Sequence, residues 1–187
     1  MVAGRLVGIY TTPIRGTRMR AREAVRMIEG HGLEGDRYAT GTGTYSARGG
    51  AGRAVTLIER EVIAAVAADA GVALAEWETR RNLVTEGVAL LDLVGRTFRI
   101  DDVVLLGVRP CPPCSYLEQL TRPGVWSALR DRGGLRADVV RGGTVPIGAT
   151  IIIPHREAEP VDAVVPDHAV VPDHAVASGA PAPTGGG

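Results

Sequence analysis

The segment Arg109-Pro110-Cys111-Pro112-Pro113-Cys114-Ser115-Tyr116-Leu117 contains both cysteines of the chain. Its three prolines each fix φ near about −65° and stiffen the loop. A rigid loop holds a thiol in place at little entropic cost, and thiolates are soft metal ligands and good nucleophiles. If Ser115–Thr121 begins a helix, Cys114 sits at its N-terminus, where the positive end of the helix dipole favours a thiolate. Several chemistries use such a pair. A thioredoxin-like dithiol needs a βαβ setting, which the pattern around the pair does not supply. A structural zinc site needs four ligands, and before residue 156 the chain offers only His31 and His155 beside the cysteines. The pair can also serve as two buried small hydrophobes.

Two further segments carry side chains suited to anions. Thr79-Arg80-Arg81-Asn82-Leu83-Val84 sets paired arginines beside an asparagine, a combination that binds a phosphate and the edge of a heterocycle, or else forms a solvated turn. Gly30-His31-Gly32-Leu33-Glu34-Gly35-Asp36-Arg37-Tyr38 combines turn-forming glycines with an aspartate able to order a loop. The glycine-rich stretch 41–52, with Arg48 inside it and Arg53 just after, is suited to folding over an anionic ligand or to serving as a flexible loop.

The elements that must position these groups read mainly as strands. Residues 4–10 open as a strand, and Arg18-Met19-Arg20-Ala21-Arg22 alternates like a half-exposed one. Residues 53–58 form another strand. Glu59–Ala70 then changes to helical spacing, with Val62, Ile63 and Val66 on one face and Gly71 as C-cap. Leu90–Val94 reads as a strand. Phe98–Ile100 and Val103–Val108 flank Asp101-Asp102 as a hairpin. Pro123 suits the first turn of a short helix that stops at Gly133-Gly134. Asp138–Val140 and Thr150–Ile153 close the domain as strands. Many short strands with few helices predict a mainly β, α+β domain with a bent sheet or β-barrel, and not a doubly wound fold.

Composition excludes several function classes. Formal net charge is zero, which argues against a polycationic nucleic-acid binder. The longest apolar run, Val62–Ala68, is too short for a membrane span, which needs about 20 residues. The first residues, Met1-Val2-Ala3-Gly4-Arg5, lead into no signal-peptide h-region, so a cytoplasmic protein is expected. The chain has no lysine, and all 21 basic residues are arginine. Without lysine, this chain alone cannot form a Schiff base with pyridoxal phosphate. Beyond Arg156 the composition turns to Ala, Pro, Val, Asp and Gly, and Val-Val-Pro-Asp-His-Ala occurs at 164–169 and again at 170–175. Residues 156–187 are expected to be a disordered tail behind a domain over 1–155. His168 and His174, with Asp167 and Asp173, give too few fixed ligands for a firm metal site.

Taken in order, the segments resemble the MOSC domain, the C-terminal domain of molybdenum cofactor sulfurases that also occurs as stand-alone bacterial proteins. The resemblance runs over about residues 4–153. It is carried by Gly35-Asp36-Arg37, the strand Val55–Ile58 with Glu59, Thr79–Val84, Gly95–Ile100, Pro113–Leu117, Arg132–Leu135 and Gly142–Gly148. It implies a barrel-like β domain and a bound pyranopterin molybdenum cofactor. The cysteine that ligates molybdenum in some members corresponds to Cys114. Arg80 and Asn82 correspond to residues expected to hold the pterin and its phosphate, with Arg81 beside them and Thr56 in the matching strand end. Tyr38 stands where many stand-alone members have histidine. The pyridoxal-phosphate domain of full sulfurases is absent from this sequence.

Two activities follow from the resemblance. In the first, the protein is an oxidoreductase that reduces N-hydroxylated compounds. The sequence carries no haem, flavin or iron–sulfur motif, so a separate electron donor is required. In the second, Cys114 carries a persulfide received from a cysteine desulfurase and delivers sulfur for cofactor or metal-cluster assembly. A third reading has the domain bind the cofactor without turnover.

Overall fold

The computed structural model describes residues 2–43, 46 and 50–154. The glycine-rich residues 44, 45 and 47–49, Arg48 among them, and the tail expected to be disordered lie outside the described residues.

Among the described residues, eleven strands and three α-helices follow in order: β1 (Val2–Thr11), β2 (Arg20–Ala21), β3 (Ala24–Ile28), β4 (Gly32–Leu33), β5 (Val55–Glu59), α1 (Arg60–Ala70), β6 (Leu83–Glu86), β7 (Thr97–Ile100), β8 (Val103–Pro110), α2 (Ser115–Leu120), α3 (Val125–Leu129), β9 (Leu135–Arg141), β10 (Gly143–Pro146) and β11 (Thr150–Ile153). Seven of the strands close into a barrel, in the order β11-β7-β8-β9-β5-β6-β1, with β11 returning to pair with β1. The length of β1 makes closure work. Its first half pairs with β11 from Val2↔Ile153 to Arg5↔Thr150, and its second half pairs with β6 down to Ile9↔Leu83. The expected β-barrel-like fold is therefore present.

Apolar side chains fill the barrel. Leu6, Leu57, Leu83, Phe98, Ile100, Leu105, Leu135 and Ile151 are all fully buried in one cluster. Phe98 is the only phenylalanine of the chain, so no other residue can supply that ring. The small sheet β10-β3-β4 adds Val25, Met27, Leu33 and Val145 to the same cluster.

A second apolar cluster lies outside the wall, between β5 and β6 and the three helices. It contains Ile58, Val84, Ile63, Val66, Leu117, Val125 and Leu129. Successive strand residues point to opposite faces. Leu57 therefore enters the barrel while Ile58 faces the helices, and Leu83 and Val84 divide in the same way. Burial on both faces explains why these strands read as unbroken apolar runs. Thr56, two residues before Ile58, shares the outward face.

The structure departs from the sequence reading in several elements. Strands β5 and β6 run parallel across α1, so the fold contains one βαβ unit where the sequence showed no such setting. Residues 90–93 form a 3₁₀ turn and not a strand: Leu90 and Leu93, three apart, are buried while Leu91 and Val94 are exposed. The predicted strand over 18–22 shrinks to Arg20–Ala21. The alternating strand Ala24–Ile28 was missed. Helix α3 starts at Val125, so Pro123 precedes its first turn, and it ends at Leu129, well before Gly133.

Candidate functional site

Strand β8 ends at Pro110 and delivers the cysteine loop to the outer wall. The two thiols then diverge. Cys111 is buried at 1% exposure, whereas Cys114 is exposed, and both are free. The backbone of Cys111 is fixed by its N–H donating to the Gly134 carbonyl (2.8 Å) and by its carbonyl accepting from Arg81 (2.7 Å). With Cys111 buried and Cys114 exposed, the pair presents one outward thiol. Cys114 occupies the N-cap position of α2, as the sequence indicated, and its carbonyl accepts the first helical bonds from Leu117 and Glu118.

Cys114 stands on the rim of a hollow that encloses about 130 Å³ against the outward face of β5 and β9. All the predicted site residues reach it: Thr56, Arg80, Arg81, Asn82 and Cys114. They differ in what their polar atoms are free to do. The Asn82 carbonyl oxygen accepts from the Thr56 N–H (3.2 Å) and hydroxyl (2.9 Å). Its amide nitrogen donates to the Tyr10 carbonyl (3.2 Å) and to Asp36 (3.2 Å). Arg81 is 6% exposed and donates to the carbonyls of Thr79, Cys111 and Gly133. These residues join β5, β6 and the cysteine loop into one rigid floor. Asp36, 2% exposed, orders the loop before it, accepting from the N–H groups of Thr12 and Tyr38.

Arg80 is held differently. Its backbone is left-handed at φ 61°, which is uncommon for a residue with a side chain. Such outliers persist where surrounding structure enforces them, and they concentrate at functional sites. Its guanidinium donates to the Thr17 carbonyl and lines the hollow. Burial, and then the charge of Arg37, lower its pKa from the ordinary arginine value.

Sequence reasoning missed much of the cationic lining. Arg15 and Arg136 join Arg37, Arg53, Arg80 and Arg81 around the hollow, and among the described lining residues there is no carboxylate. Two of these arginines have a buried donor without an acceptor, the Nε atoms of Arg37 and Arg136. A buried unsatisfied donor costs about 1–3 kcal/mol, a penalty that an anion within reach would remove. The Arg15 guanidinium stacks on the Tyr116 ring at 4.8 Å, beside the mouth. The strand expected at Asp138–Val140 begins earlier, at Leu135, with Leu135 and Ala137 buried on either side of Arg136, and only the closed barrel shows that the Arg136 face meets the cysteine loop.

Among the described residues no group of three or more His, Cys, Asp or Glu is placed to cage a metal. A metal at Cys114 would therefore have to arrive with donor atoms of its own. A larger groove of about 600 Å³ runs along α2 and α3, past Glu118, Arg122 and Trp126, but the thiol and the arginine cluster are not on it. Among the described residues no helix is long and apolar enough to cross a membrane.

Comparison with known proteins bears on the family and the fold. No curated protein matches the chain. Among solved structures, it superposes on the YuaD protein of Bacillus subtilis with a TM-score of 0.67 at 18% identity, covering 80% of this chain and 94% of that one. It superposes on YiiM of Geobacillus stearothermophilus with a TM-score of 0.62 at 17% identity, covering 82% and 76%. For YiiM of Escherichia coli the TM-score is 0.57 at 20% identity, covering 83% and 72%. At these identities the likeness shows the fold. The MOSC domain family model matches residues 44–152, which include β5, the Arg80–Asn82 turn and the cysteine loop. The chain belongs to the MOSC domain family.

Proposed function

We propose that this protein binds a pyranopterin molybdenum cofactor on the outer wall of its barrel, with Cys114 as the protein's ligand to the metal. In this reading it reduces N-hydroxylated small molecules, with electrons from a separate donor protein. One observation carries the proposal: an exposed thiol stands on the rim of a hollow with six arginines and no carboxylate among its described lining residues.

The residues present suit such a group. The buried Nε atoms of Arg37 and Arg136 lack acceptors, and a phosphate supplies acceptor oxygens. A thiolate is a soft ligand suited to a sulfur-rich metal centre. The enclosed 130 Å³ is below the roughly 300–1,000 Å³ of a drug-sized ligand's pocket. The hollow thus takes the anionic end of a ligand, and the remainder would lie along its open mouth, towards Cys114.

When bound, the cofactor supplies the oxygen-atom and two-electron chemistry that no side chain here performs. The chain's own residues bind and position. Arg80 and Arg37 would neutralise the phosphate. Asn82, Thr56 and Arg81 would keep the floor rigid, and their engaged polar atoms make them positioning residues more than direct ligands. The proline-braced loop would hold the Cys114 sulfur at a fixed place with little entropy left to lose.

The test is metal and pterin analysis of protein from molybdenum-replete cells, followed by turnover of an N-hydroxylated substrate with a competent donor. Stoichiometric molybdenum and turnover support the reading. Absence of molybdenum, together with added sulfur on Cys114 after treatment with a cysteine desulfurase, would replace it with the persulfide carrier.

A further inference from the structure

A groove of about 490 Å³ lies beyond the hollow, at the end of β1. Tyr10, Pro13, Ile14 and Trp77 give it an apolar wall, and Arg18 and Arg20 give it charge, with no carboxylate among its described lining residues. The Arg18 guanidinium stacks on the Trp77 ring at 4.3 Å. Neither Arg18 nor Arg20 forms a salt bridge among the described residues, and Glu76 and Glu78, on either side of Trp77, are engaged with Arg60 and Arg122. Ile14 is 62% exposed, more than any other large hydrophobic side chain among the described residues. Exposed apolar patches rimmed by charge mark interaction sites.

The chain's own tail has the complementary chemistry. Residues 1–154 hold twenty arginines against sixteen acidic residues, whereas residues 155–187 hold one arginine against five. The zero net charge of the chain therefore divides into a cationic domain and an acidic tail. The copies of Val-Val-Pro-Asp-His-Ala at 164–169 and 170–175 each set a proline beside an aspartate. Proline-bearing segments dock in aromatic-lined grooves as polyproline helices. Such a helix has about three residues per turn, so a six-residue period is two turns, and the pairs Pro166-Asp167 and Pro172-Asp173 present the same face twice.

The tail is long enough. Val2 pairs with Ile153, so the tail leaves beside the start of β1, and Tyr10 lies eight residues along that strand. At about 3.4 Å per residue the groove is about 27 Å away. Sixteen residues separate Pro154 from Val170, a reach of up to about 50 Å.

We propose that the groove of Tyr10, Trp77, Arg18 and Arg20 is the docking site of this chain's own acidic tail, with a repeat proline against the aromatic wall and the adjoining aspartate against the two arginines. The proposal does not depend on the cofactor reading. One loop joins the two sites: Arg15 and Gly16 line the hollow, the Thr17 carbonyl accepts from Arg80, and Ile14 and Arg18 line the groove. A docked tail thus bears on the outer side of the loop that holds Arg80. Tethering gives an effective concentration of about 1 mM, so a contact of only millimolar affinity is about half occupied.

The test attaches bimane, a fluorophore that tryptophan quenches on contact, to the tail of the full-length chain through Ala169→Cys. The background is Cys114→Ala, which leaves the buried Cys111 as the other thiol. At low salt, Trp77→Phe is expected to raise the emission about twofold, and the exposed pair Arg18→Gln/Arg20→Gln to raise it as far. Salt at about 1 M should do the same. Trp126→Phe should leave the emission unchanged, and thermal melting confirms that each variant is folded. Emission that does not rise in Trp77→Phe overturns the docking site. A rise in Trp126→Phe instead places the tail along α2 and α3 and also overturns it. Quenching that survives Arg18→Gln/Arg20→Gln overturns recognition of the aspartate. Quenching that fades on dilution makes a second copy of the chain the source of the tail and overturns the intramolecular contact.

Discussion

Asn82→Ala tests whether the floor of the hollow is held as a unit. The side chain is 6% exposed and makes four hydrogen bonds, two with Thr56, one with the Tyr10 carbonyl and one with Asp36. A neutral bond is worth about 1 kcal/mol net, and one to a charged partner about 1.5–3 kcal/mol. Truncation also leaves the Asp36 carboxylate, 2% exposed, without one of its donors. The expected loss is about 3–5 kcal/mol, a large part of the 5–15 kcal/mol typical of a domain. At about 2–4 °C per kcal/mol, the melting temperature should fall by roughly 6–20 °C. Urea unfolding followed by tryptophan fluorescence reads the loss directly, with an unchanged m-value showing that compactness is retained. Thr56→Val removes only the hydroxyl's share, about 1–2 kcal/mol, and the double variant should lose less than the sum because the two residues share bonds. A loss below about 1 kcal/mol for Asn82→Ala would refute the reasoning.

Other perturbations probe neighbouring parts. Gly134 sits at φ 94°, and a Cβ there would stand 1.9 Å from the Leu57 carbonyl oxygen, so Gly134→Ala should cost more than about 3 kcal/mol by urea unfolding. Arg80→Gly relieves a left-handed backbone and removes a cation, so stability should stay within about 1 kcal/mol of the wild type, while the proposed cofactor should no longer be retained. Burial raises the Glu59 carboxyl pKa above its ordinary value, ahead of the opposing bonds from backbone N–H groups. A raised folded-state pKa means that stability present below about pH 4.5 is lost as the pH rises through the folded value. Glu59→Gln can still accept from the Leu90 N–H, so melting curves should show it more stable than the wild type at pH 7, with the advantage gone near pH 4. Tyr10, desolvated and donating to Glu76 at 2.7 Å, has its pKa raised to about 12, so ultraviolet titration of the wild type should show an ionisation near pH 12 that is missing from Tyr10→Phe.

The parts of the fold legible in the sequence were those fixed by local pattern. The 97–110 hairpin turns on Asp101-Asp102, and α1 shows its buried face through Ile63 and Val66, ending at Gly71. Leu90–Val94 reads as a strand, and not as the 3₁₀ turn over Leu90–Leu93, because a short apolar run does not reveal its period until burial is known. The parallel pairing of β5 and β6 depends on barrel closure, which no local window contains. The site divides in the same way. Cys114 stood out through its prolines, and Arg80 and Asn82 through their adjacency. Arg15 and Arg136 lie 96 and 22 residues from the nearer cysteine, and only the register of β5, β9 and β8 brings Arg136 to the same hollow as the thiol.

Elemental analysis of wild-type and Cys114→Ala protein, purified in parallel from molybdenum-replete cells, tests the central assignment most directly. Cys114 is exposed and its side chain caps no hydrogen bond, so the variant should fold normally. Molybdenum bound to the wild type and lost from the equally folded variant is the predicted result. Full retention of molybdenum without the Cys114 sulfur would contradict it.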